Sequence, residues 1–131
     1  MPEVNYIAVG VATAAAFVLG GLWYSPVLFG NRWAALSGQS EEQLKSGSMA
    51  LIFAGAFLLT LISAGVLAMF IGPMDLKFAT AAGLSAGLCW VAASLGVVYL
   101  FERRPLGLWL INGGFLVVEF TMMGAIIGAF N

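Results

Sequence analysis

The chain has no histidine, one cysteine and few charges: 8% of its 131 residues are Asp, Glu, Lys or Arg. Without histidine, the side chain best suited to general acid–base work and metal ligation near neutral pH is missing. The single Cys89 cannot form an intrachain disulfide and matches no zinc-binding spacing. A soluble domain carries about a quarter charged residues, so this content excludes an ordinary soluble fold. The formal net charge of −1 leaves no basic footprint for nucleic acid. Paired buried carboxylates and a nucleophile–base pair are also lacking, so the chain is not expected to be an enzyme.

What is present is apolar: 62% of the residues, gathered in long runs. Leu106 to Phe130 is nearly unbroken, with one carboxylate, Glu119, near its middle. A run of about 20 residues crosses a hydrocarbon core of about 30 Å, and an acid at that depth is costly unless neutral, paired or wetted. Four such runs, at about 5–24, 48–72, 77–101 and 106–130, predict an all-α membrane protein with four transmembrane helices. Residues 1–131 then form a single integral membrane domain. No basic residue precedes the first run, which reads as a retained helix rather than a signal peptide.

The breaks are chemically marked. Pro26 pushes Ser25 out of the helical region and ends the first span. Gly72-Pro73 ends the second, Asp75 is placed to cap the third, and Pro105 suits the first turn of the fourth. Only the first connection is long. Its Phe29, Trp33 and Leu36, set among small and polar residues, suit a short interfacial helical segment. Ser40 to Gln43 has capping-box spacing for a second short helix through Lys45, with a solvated loop as the alternative.

Arg32 and Lys45 lie in the first connection, Arg103 and Arg104 in the third, and only Lys77 on the other side. The positive-inside bias therefore puts the first and third connections in the cytoplasm and both termini outside, in a bacterial inner membrane. Trp23, Tyr24, Trp33, Tyr99 and Trp109 fall at that cytoplasmic boundary, as an aromatic belt should, with Arg103 and Arg104 as orientation anchors.

Small residues let helices approach in lipid. Gly83 and Gly87 on the third span and Gly124 and Gly128 on the fourth are two GxxxG motifs and predict a helix-packing interface, within the chain or with a partner. Counting along the spans puts Thr13, Thr60, Ser63, Cys89 and Trp90 near the depth of Glu119. These residues predict a polar layer in which Trp90 or a hydroxyl donates to Glu119. The acid is then either a structural hydrogen-bond donor or part of a proton or cation pathway. Asn112-Gly113-Gly114 marks a close helix crossing or, more sharply, a broken helix lining a site. Met122 and Met123 read as core filling.

Trp23-Tyr24-Ser25-Pro26 followed by Leu28-Phe29-Gly30 and Trp33, then Leu100-Phe101-Glu102 with Arg104-Pro105 and Leu108 to Asn112, then Met123 to Gly128, resemble a family of small bacterial membrane proteins. That family is known as domain-of-unknown-function family seventeen sixty-one. The resemblance covers nearly the whole chain, keeps the motif order, and implies a four-helix integral membrane protein without an established activity. Members often carry tyrosine and histidine where this chain has Phe115 and Leu116, so chemistry that uses the histidine is not expected here.

The leading expectation is a non-enzymatic accessory or interaction subunit of a larger membrane assembly. The alternative is a small oligomeric proton- or cation-coupled transporter or channel that uses Glu119. The partners implied are the lipid bilayer and either other membrane subunits or further copies of the chain. No cofactor is demanded, although the aromatic boundary leaves room for a bound lipid, quinone or pigment.

Overall fold

The computed structural model describes residues 4–39, 42 and 47–131. It is all-α, with no strand among the described residues. Helix α1 spans Tyr6–Trp23, with the Asn5 side chain accepting from the Ala8 N–H at 3.1 Å as its N-cap. The short helix α2, Gly30–Ser37, follows and ends at Gly38 in the left-handed region. The capping-box segment from Ser40 and the helix expected through Lys45 lie outside the described residues, apart from Glu42.

Helix α3, Met49–Ile71, is capped by the Ser48 hydroxyl, which accepts from the Leu51 N–H. Helix α4 runs Leu76–Glu102 after the Asp75 carboxylate has accepted from the Phe78 N–H. Its middle, Ala86–Ala92, is a π-helix with wider turns, between α-helical stretches Leu76–Ser85 and Ala93–Glu102. Helix α5 spans Leu106–Ala129, and Pro105 stands at its cap rather than inside the first turn. Helices α1, α3, α4 and α5 are each long and apolar enough to cross a membrane. Their ends fall within one residue of the expected boundaries, because Pro, Gly and capping side chains fix them locally.

Helix α5 is the centre, touched by every other helix. Its tightest partner is α4, and glycine explains why. A methyl group on Gly83 would strike the Phe120 carbonyl, and one on Gly124 the Ala79 carbonyl. A methyl on Gly87 would lie 2.9 Å from Phe120 Cβ, and one on Gly128 2.5 Å from Ala79 Cβ. The two GxxxG motifs thus face each other within one chain. No outward small-residue stripe remains at these four positions to recruit a partner.

The core is concentrated at one end of the bundle. Ala8 and Ala12 of α1, Ala64 and Ala68 of α3, Ala79 of α4 and Met123 of α5 are all buried there. Asn131 closes the same end, donating to the Gly72 and Met74 carbonyls of the α3–α4 turn. Helix α3 is buried only from Ala64 onward; its first half meets α1 through rings, with Phe57 stacked on Phe17 at 5.7 Å between centroids. The bundle is closed at the end holding the α3–α4 turn and splayed at the end holding the other two connections.

Candidate functional site

Three helical stripes meet in the splayed half. Phe17, Gly20, Gly21 and Tyr24 recur every three or four residues on α1, and Ile52, Ala56 and Thr60 do so on α3. Phe115 and Glu119 lie one turn apart on α5. Between them lies a groove of about 440 Å³. It runs from Glu119 and Thr60 at mid-depth to Tyr24 and Ile52 at the end of the first connection. Beyond Glu119 the alanine-rich core closes it.

Glu119 is 7% exposed, and among the described residues its carboxyl has no hydrogen-bond or ion-pair partner. Among the described residues, no Lys or Arg lines the groove. The remaining lining is apolar or aromatic, with Thr60 and Tyr24 as the other polar groups. A carboxylate so far from water needs a proton or a cation to cancel its charge.

The polar layer inferred around Glu119 is corrected in most of its members. Only Thr60 shares the groove. Thr13 is buried but donates to its own helix, to the Val9 carbonyl at 2.8 Å, and Ser63 likewise donates to the Leu59 carbonyl at 3.0 Å. A hydroxyl that bonds back four residues has no donor left for a neighbour. Trp90 does not donate to Glu119: it is 68% exposed and lines a separate groove between α3 and α4, with Ser63, Cys89 and Phe120. The wide π turn through Ala86–Ala92 carries it off the face that Gly83 and Gly87 turn toward α5.

At the mouth of the groove the aromatic residues point inward rather than forming a belt toward lipid. The Tyr24 hydroxyl donates to Asn112 Oδ1 at 2.6 Å, and Asn112 Nδ2 donates to the Tyr99 hydroxyl at 2.8 Å. One amide thereby ties α1, α4 and α5 together. The Trp23 indole donates to the Ile111 carbonyl at 3.0 Å and the Trp109 indole to the Ala92 carbonyl at 2.8 Å. An indole or phenol that finds such a partner inside satisfies its polar edge without reaching the headgroups.

Asn112-Gly113-Gly114 does not break α5, which runs unbroken through it. The glycines instead make room for rings: a methyl on Gly113 would lie 3.2 Å from Trp109 Nε1, and one on Gly114 3.4 Å from Trp23 Cζ2. The chain after α1 folds back just as closely. Gly30 N–H donates to the Ser25 carbonyl at 2.9 Å, and a methyl at Gly30 would strike the Tyr24 carbonyl. Trp33 then packs edge-on against Tyr24, with ring centroids 5.8 Å apart. On the far side, Arg104 bonds Glu102 at 2.8 Å and lies over the Tyr99 ring. That ion pair is solvent-exposed and contributes little to stability. Arg103 turns the chain in the left-handed region at φ 57°.

The sequence pattern overlooked the π segment and the roles of Phe17, Phe53 and Phe115. A usable signal existed in the spacing: Asn112, Phe115 and Glu119 fall at i, i+3 and i+7, one face of one helix.

Four apolar helices, three of them packed around the fourth, α5, with one desolvated acid, define an integral membrane protein of the all-α class. A model of the family described as "Protein of unknown function (DUF1761)" matches residues 7–128, and the chain belongs to that family. No curated protein and no solved structure matches it.

Proposed function

We propose that the chain is a small membrane carrier in which a proton and a cation compete for Glu119, reached from one side of the membrane. One observation carries this reading: a buried carboxyl, without a partner among the described residues, stands at the closed end of a groove whose other end reaches Tyr24 at the first connection. Because either occupant neutralises the same group, binding one displaces the other, which is the physical basis of coupled exchange. The carrier makes and breaks no covalent bond. Arg32, Arg103 and Arg104 lie at the groove-mouth end, so the positive-inside bias favours a mouth facing the cytoplasm across a bacterial inner membrane. The test is flux in sealed vesicles of the purified chain. An imposed pH gradient should drive cation movement in the wild type and not in Glu119→Gln of equal abundance. Equal flux from both would overturn the proposal.

The outward face of α3 favours a second reading, an accessory subunit docked there or a further copy of the chain. Leu51, Leu59 and Phe70 are each more than half exposed on it. Release from native membranes in fixed stoichiometry with another membrane protein would support it, and release as a free chain would count against it.

A further inference from the structure

We infer that the cation taken at Glu119 is an amphiphilic organic monocation, with its charge on the carboxylate and its apolar body against Phe17, Phe53 and Phe115. The inference rests on the carrier reading and names its cargo.

A bare inorganic cation is poorly served here. Such ions are held by about six or more oxygens, or keep much of their water. The groove supplies the Glu119 carboxyl and the Thr60 and Tyr24 hydroxyls, and the Tyr24 hydroxyl already donates to Asn112. No cluster of three metal-binding side chains occurs among the described residues.

An organic cation needs less. One carboxylate neutralises it, aromatic faces attract it, and its own apolar groups fill the rest. The groove's volume of about 440 Å³ lies in the range of small-molecule sites, about 300–1,000 Å³. Its aromatic lining matches the cargo's body.

The route of entry agrees. Ile52 and Phe53 line the groove yet are 54% and 55% exposed, so it opens through the lipid-facing surface of α3. Its mouth ends near the interfacial helix α2, where an amphiphile in the bilayer keeps its charged group. The groove between α3 and α4 is a natural contrast. It is of similar size, about 420 Å³, but among the described residues no charged side chain lines it, so it offers a cation no counter-ion.

The test uses the full chain in nanodiscs of zwitterionic lipid and two probes of equal shape and opposite charge, tetraphenylphosphonium and tetraphenylborate, by equilibrium dialysis. The wild type should bind the phosphonium saturably, prefer it over the borate by about tenfold or more, and release protons as it binds. Glu119→Gln should lose that preference. Gly21→Leu should weaken phosphonium binding by about tenfold: Gly21 lines the groove, and nothing lies within 4 Å of a Cβ there, so the added side chain starts in open space and takes up room in the groove. If Glu119→Gln fails to fold, Gly21→Leu and the charge preference of the wild type still decide the matter. Equal binding of both probes, unchanged by either substitution, overturns the inference. Proton release driven by Na⁺ or K⁺ but never by the phosphonium overturns the organic cargo and leaves the carrier standing. Proton release by none of the three cations overturns both.

Discussion

The two halves of this bundle are built from the same four helices on opposite principles. Toward the α3–α4 turn, small residues bring backbones into contact, the buried Thr13 bonds within its helix and Asn131 ties the turn. Toward the other two connections, α3 is more exposed and large rings take over the packing, as where Phe57 stacks on Phe17. There Asn112 joins polar groups across helices, and Glu119 has no partner among the described residues. The difference teaches where function can reside in so small a chain. The half closed by backbone contact keeps only the groove between α3 and α4, lined without a charged side chain among the described residues, whereas the half held by rings and one amide keeps the groove that ends at Glu119.

Substitutions should separate the halves, from large effects to small. Gly124→Leu puts a side chain into the Ala79 backbone and should cost about 3 kcal/mol, read as loss of the folded fraction in a detergent unfolding titration. If it is tolerated, α4 and α5 do not meet through glycine and the contrast fails. Asn112→Leu removes two interhelical hydrogen bonds and strands two tyrosine hydroxyls. About 1–2 kcal/mol should be lost in the same titration, from the splayed half alone. Hydrogen exchange should show the opening confined to the ends of α1 and α4 near Tyr24 and Tyr99.

Glu119→Leu should move stability the other way, by about 1 kcal/mol, because an unpartnered polar group leaves the interior. A marked loss of stability would mean that the carboxyl holds the bundle together, the structural role set out as the alternative to transport. Gly21→Leu should change stability by less than about 0.5 kcal/mol, since its side chain enters open space. A cost near that of Gly124→Leu would show that the groove closes in the membrane.

The sequence carried the fold well because in lipid the main signals are local. Span length, Ser25-Pro26, Gly72-Pro73 and the caps at Asn5, Ser48 and Asp75 are properties of short stretches, and each sets a boundary without reference to the rest of the chain. The GxxxG motifs were legible as packing signals, but not the choice between an internal and an external partner, which depends on how α4 crosses α5. The site was only partly legible. Glu119 stands out as a lone acid in an apolar run. Its neighbours do not, because depth alone cannot say which way a side chain faces. Thr13 and Thr60 lie at similar depths, yet one bonds its own helix and the other lines the groove. Counting regular turns puts Trp90 at the acid's level, and the π segment changes its direction. The boundary aromatics resembled a belt because position gives their depth, whereas the carbonyl or amide each one meets is set only by the assembled bundle.

The most direct test of the central claim is the reaction of Glu119 with a lipid-soluble carbodiimide in intact membranes, followed by mass spectrometry of the α5 peptide. An unpartnered carboxyl facing a groove open to lipid should be modified in the folded protein, and Gly21→Leu should slow the modification by filling the approach. A Glu119 that stays unmodified in the folded protein and reacts only after unfolding would mean that the acid is sealed or paired, and would contradict the account.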